Sequence, residues 1–126
     1  MEIMVSVGEV LDKISILDIK KNKITDVNKL KNIIFEYSHL VEIIQNKYEG
    51  ILNTSEYEKL YDVNLKLWDV EDEIRIKELN KNFEQEFIEL ARSVYFLNDK
   101  RAEIKKDINL KHDSKIIEEK SYEKYQ

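Results

Sequence analysis

The chain has 126 residues, with no cysteine, no proline and two glycines; 37% of it is charged, and its formal net charge is −5. That length suits one domain around a single core; the lack of cysteine excludes disulfides and thiolate metal sites, and the lack of a basic patch argues against nucleic acid as a partner. No apolar run approaches the ~20 residues a membrane span needs, and MEIMVSVGEV lacks the basic start and sustained apolar stretch of a signal peptide, so the expected location is cytoplasmic.

A first helix is expected behind Ser6, because Ser6 and Glu9 have the S-x-x-E spacing of a capping box. Val7, Val10, Leu11, Ile14 and Leu17 form its apolar face, with Ile16 and Ile19 on the flank, over roughly four turns. Thr25 is placed to cap a second helix. Its seam of Val27, Leu30, Ile34, Tyr37, Val41, Ile44 and Tyr48 alternates steps of three and four, the heptad pattern of a bundle or an antiparallel coiled-coil arm. Gly50 can end that helix, since glycine takes left-handed geometry freely. Ser55 and Glu58 make a second S-x-x-E box ahead of a third helix that runs to about Leu79, with Leu60, Val63, Leu67, Val70 and Ile74 inward. Asn82 with Gln85 can cap a fourth helix, which continues to about Leu110. The terminal KIIEEKSYEKYQ is a short helix or a tail, with residues 115–126 free to move. The pattern predicts an all-α fold over residues 1–126, an antiparallel bundle of about four long helices joined by short links.

The fourth helix contains a misplaced charge. Phe83, Phe87, Leu90, Val94, Leu97, Ile104 and Ile108 share one stripe, and Arg101 stands in it where an aliphatic residue is due. An unpaired guanidinium in an apolar seam costs several kcal/mol, so a carboxylate, a phosphate or water must meet it. Glu71 and Glu78 on the antiparallel third helix are the expected carboxylates. Arginine is otherwise rare, at positions 75, 92 and 101 only; a chain that uses lysine freely for solubility places arginine where its planar fork matters. Trp68, Glu71, Arg75 and Glu78 share a face of the third helix with Asn64, and the two glutamates are spaced to hold Arg75. Tyr95, Asn98 and Lys105 flank Arg101, and Arg92 lies one position beyond that flank. On the first helix Glu9, Lys13 and Lys20, with Asp12 adjacent, make a solvated face. His39 and His112 are isolated and expected to be exposed.

Catalytic motifs are scarce. Two separated glycines cannot build a phosphate-binding loop, no cysteine nucleophile exists, and no motif supports a serine triad around the two histidines. Zinc lacks ligands. The enzymatic alternative is a Mg²⁺-dependent all-α nucleotide phosphohydrolase, with Glu71, Glu78, Glu86 and Glu89 as metal ligands, although the E-E-x-x-E and E-x-x-D pairing such a site uses does not occur.

Four stretches, VGEVLDKISILDIK at 7–20, LWDVEDEIR at 67–75, FIELARSVY with ND, RAEIK and IN across 87–109, and EEKSY at 118–122, resemble a family of small all-α bacterial and phage proteins known only as a domain of unknown function. The resemblance covers nearly the whole chain, implies a complete protein, and transfers no catalytic residue. The polar positions it shares are Lys13, Trp68, Glu71, Arg75, Arg92, Tyr95, Asn98, Arg101 and Lys105, and these nine are the candidate ligand-binding residues. The expected function is that of a non-enzymatic, homo-oligomeric helical protein, a dimer first of all. Its Arg/Glu layer either fixes helix register or binds a small anionic ligand, with no cofactor.

Overall fold

Side-chain oxygens start three of the four α-helices of the computed structural model, which describes residues 1–121. Ser6 opens α1 (Val7–Lys23) by accepting from the Glu9 N–H at 3.1 Å, as its spacing predicts. α2 (Val27–Lys47) is capped by Asp26 rather than Thr25, the carboxylate accepting from the Lys29 N–H at 2.9 Å. A carboxylate at that position also complements the positive end of the helix dipole. Thr54 caps α3 (Ser55–Leu79) through the Tyr57 N–H at 3.3 Å, which makes Ser55 the first helical residue instead of the cap. α4 (Gln85–Lys111) starts behind Glu84 with no side-chain cap, and Asn82 instead accepts from Glu84 N–H in the preceding turn. Gly50 does adopt a left-handed φ of 79°, but beyond the α2 cap at Tyr48, where it leads into a 3₁₀ turn at Ile51–Asn53. Residues 115–121 are not helical; the remainder of the expected tail, 122–126, lies outside the described residues.

α1 is the hub. It packs against each of the other helices, while α2 packs mainly on α1 and the 3₁₀ turn, and α3 and α4 lie along one another. Leu11, Ile14, Ile44, Ile51, Leu60, Val63, Ile104 and Ile108 make the core. The predicted α2 seam packs onto it from Tyr37 to Tyr48, but Val27 and Ile34 are exposed and Ile33 is buried in their stead. With one main partner, α2 needs only a narrow inner stripe.

α3 and α4 are antiparallel, joined at one end by Lys111 and Glu56 at 2.7 Å and at the other by Lys77 and Glu86 at 2.6 Å. They have 25 and 27 residues against 17 in α1; at 1.5 Å per residue they outreach it by roughly 12–15 Å. No residue from 65 to 103 is buried. The far part of the hairpin is therefore a two-helix arm standing out from a three- to four-helix base. Among the described residues no helix is long and apolar enough to cross a membrane.

Candidate functional site around Arg101

The site is built from a second stripe on α1, beside the aliphatic one: Gly8, Asp12, Ser15 and Ile19, at steps of four, three and four. Gly8 lets α4 approach. A Cβ there would lie 2.6 Å from the Lys105 carbonyl oxygen and 2.9 Å from Asn109 Oδ1, so any larger residue forces the helices apart. The Gly8 N–H instead donates to the buried Asn109 side chain at 2.6 Å, and the Val7 N–H to Ser114 Oγ at 3.2 Å. Together with Ser6, these side chains satisfy the first free N–H groups of α1, closing the helix end that would otherwise attract an anion.

One turn on, Asp12 is 2% exposed and holds Arg101 across the α1–α4 interface. Arg101 Nε donates to Oδ1 at 2.8 Å and Nη2 donates to Oδ2, a side-on fork that only arginine can supply. Asn64 of α3 donates from Nδ2 to Asp12 Oδ1 at 2.9 Å and to Ser15 Oγ at 2.7 Å, while Ser15 donates to the Asp12 carbonyl at 2.7 Å. The layer thus ties three helices together. Among the described residues no buried side-chain nitrogen or oxygen lacks a partner, the condition under which a buried polar network is tolerated. The expected pairing of Arg101 with Glu71 or Glu78 is overturned. The carboxylate comes from α1, because α1 packs on both α3 and α4 at this level and Gly8 lets it approach α4 closely.

Lys105, one turn after Arg101, is only 13% exposed in its side chain and faces three carboxylates: Glu9 at 2.7 Å, Glu118 at 3.4 Å and Asp12 at 3.9 Å. Burial alone would lower its pKa, but the hydrogen bond to Glu9 and the surrounding negative charge more than offset this and hold it above the ordinary lysine value. The Arg101 pKa is likewise raised, chiefly by its hydrogen bonds to Asp12. Both groups stay charged at any physiological pH.

Arg101 is the wall between two clefts. A groove of about 440 Å³ between α4 and the segment after Asp113 is lined by Arg101, Lys105, Lys106 and Lys120 against Glu9 and Glu118. On the other side, a cleft of about 400 Å³ between α1, α3 and α4 brings Arg101 together with Trp68, Glu71, Asp72 and Arg75. Asn98 reaches both and accepts a long bond, 3.4 Å, from Arg101 Nη1. Six of the nine expected residues therefore gather around Arg101: Trp68, Glu71, Arg75, Asn98, Arg101 and Lys105. The other three do not. Lys13 pairs with Glu36 of α2 at 3.3 Å, and Arg92 donates to the Tyr95 hydroxyl at 3.3 Å on the exposed arm. The carboxylates expected to clamp Arg75 make no ion pair with it among the described residues.

The four glutamates of the metal alternative are not brought together. Glu71 lines the α1–α3–α4 cleft, Glu86 and Glu89 line a separate groove on the arm where Glu86 is tied to Lys77, and Glu78 lines neither. The described residues contain no group of three His, Cys, Asp or Glu able to hold a metal ion. His39 is exposed, as expected, whereas His112 is half-buried with its ring edge-on to Tyr48 at 5.3 Å.

A family model described as a family of unknown function (DUF6165) matches residues 1–125. The chain belongs to that family. The resemblance carried by the four sequence stretches thus extends over this whole length, and the family's description assigns no activity. No curated protein and no solved structure matches the chain.

Sequence reasoning missed Asp12, Ser15, Gly8 and Asn109. The signal was present in the 8–12–15–19 stripe: two small residues and an aspartate ending on an isoleucine are out of character for a solvated face.

Proposed function

We propose that this is a non-enzymatic helical binding protein whose Arg/Asp layer does two jobs at once. The Asp12 side of Arg101 fixes the register of α1 on α4, and the outer side, with Lys105, binds a small anionic ligand. The observation that carries this reading is the groove lined by four cations against two carboxylates in a chain of net charge −5. Three of the five guanidinium N–H groups of Arg101 are engaged, by Asp12 and Asn98, leaving two for a ligand. The rigid carboxylate behind it means that little ordering entropy is lost when an anion arrives. The cleft on the Trp68 side, with two cations against two acids, supplies no such imbalance.

Self-association belongs to the same proposal. Ile76 and Leu79 at the end of the arm are 57% and 80% exposed, and Phe83 and Ile88 also face solvent. A second copy laid along the arm, as in a coiled-coil pairing, would cover them and complete the half-buried α3–α4 seam. A cytoplasmic location is consistent with a chain that uses no cysteine.

Calorimetric titration with inorganic phosphate, alongside thermal unfolding, tests the anion site. At about 100 times its dissociation constant a ligand adds roughly 2.7 kcal/mol, a shift of several degrees for a domain this size. The double variant Asp12→Leu, Arg101→Leu is expected to remain folded, because apolar replacement of a whole buried ion pair is often neutral or favourable, and to lose phosphate binding. Binding retained by the double variant would reject Arg101 as the anchor; none in the wild type would leave the layer its register role alone.

A further inference from the structure

The anion reading of Arg101 and Lys105 leads to a more specific conclusion about what already sits there. We propose that Glu118 is the built-in occupant of the groove: the extended segment after Asp113 lays its carboxylate where a small oxyanion ligand binds, and the ligand enters by displacing it.

Lys105 has three carboxylate neighbours, and they are not equivalent. Glu9 and Asp12 project from α1 and are held by the helix packing, whereas Glu118 comes from a non-helical, exposed stretch. Its contact with Lys105 is long for a charged hydrogen bond, at 3.4 Å, and its other oxygen is taken by Lys120 of the same stretch at 2.6 Å. That second contact, with the charge of Lys105, holds the Glu118 carboxyl below its ordinary pKa, so it is ionised and acts as an anion in the groove. The stretch is otherwise tethered by Ser114 accepting from Val7 N–H and by Glu119 beside Lys106 at 3.2 Å. Exposed ion pairs of this kind are weak and screened by salt, so the end of the stretch at Glu118–Lys120 can yield while Ser114 keeps its hydrogen bond. With Glu118 and Lys120 gone together, Arg101, Lys105 and Lys106 are left facing the groove, with Glu9 on its rim and Asp12 behind. The vacated place then suits a carboxylate or a phosphate group, held by Lys105, Lys106 and the outer N–H groups of Arg101. The N-terminus of α1 offers no competing place, since Ser6, Asn109 and Ser114 already fill it.

The test compares wild type with Glu118→Gln, titrated by calorimetry with inorganic phosphate and, separately, with succinate at constant ionic strength. Amide NMR of residues 114–120 is followed in the wild type. The glutamine variant is expected to bind the preferred oxyanion about two- to fivefold more tightly, the factor an exposed ion pair is worth, and the wild-type segment amides to shift on saturation. Preference for phosphate or for succinate identifies the oxyanion. Equal affinity in the two proteins, or segment amides unmoved at saturation, overturns the displacement model while leaving the anion site standing. No binding of either anion to either protein overturns the anion site and this inference together.

Discussion

In its first half the α3–α4 hairpin lies under α1 and buries Leu60, Val63, Asn64, Ile104, Ile108 and Asn109. In its second half, past Trp68 and before Asn98, the same two helices continue the same three-and-four spacing, but no residue is more than partly buried. Apolar periodicity is shared by both halves, so periodicity alone does not make a core. A helix pair presents one seam, and each seam residue keeps a wet flank until a third helix covers it. The base has that third helix and the arm does not. Arg101 sits at the border between them. Its inner edge meets a carboxylate with 2% exposure while its side chain as a whole stays 29% exposed, an arrangement neither a dry core nor a solvated arm would permit. The polar layer marks where the base ends.

The sharpest way to break the comparison is at Asp12. Asp12→Ala leaves Arg101 half-buried without its carboxylate and removes an acceptor from Asn64, the situation in which truncating one partner of a buried pair costs about 3–5 kcal/mol. Because the outer edge of Arg101 keeps access to water, we expect the lower end, about 3 kcal/mol, by urea denaturation. A loss under about 1 kcal/mol would show that the layer does not join α1 to α4.

Next, one substitution made in both halves weighs the base against the arm. Leu60→Ala in the core is expected to cost about 3 kcal/mol, as large-to-small changes at fully buried leucines do. Leu90→Ala, at a partly buried place on the arm, is expected to cost less, about 1–2 kcal/mol, since part of its apolar area stays in water. Equal costs would mean that the arm is covered in solution by something absent from the monomer.

The same contrast governs what could be read in advance. The helices, their order and their antiparallel pairing were legible, since apolar spacing and Ser, Asn and Gly punctuation act locally. The oddity of Arg101 was legible too. Its partner was not: pairing Arg101 with Glu71 assumed that the neighbour of α4 at that level is α3 alone, whereas α1 inserts a carboxylate between them. Asp12 looked solvated because its flanking lysines, Lys13 and Lys20, point elsewhere on the helix. What betrays it is tertiary, the absence of a Cβ at Gly8 and the small side chain of Ser15 that let two helices close over it. Caps slipped by one residue at Thr25 and Ser55 for a simpler reason, that adjacent residues, Asp26 and Thr54, compete for one position and spacing does not choose between them.

The smallest expected effect on folding carries the most weight for the arm. Leu79 is 80% exposed at the end of α3, so in an isolated chain Leu79→Glu should change stability by no more than about 0.5 kcal/mol. If two copies pair along their arms, a symmetric contact places the substitution at two points at once. Losing the burial of one leucine is worth about 1.5–3 kcal/mol, so the pair forfeits roughly 3–6 kcal/mol and the dissociation constant rises by two orders of magnitude or more. Sedimentation equilibrium of wild type and Leu79→Glu separates the cases. A wild-type dimer that the variant splits, with its melting otherwise unchanged, assigns the arm to self-association. A wild type that stays monomeric at high concentration removes the dimer from the reading, and the arm's half-buried seam then stands as the stable state of two helices without a third.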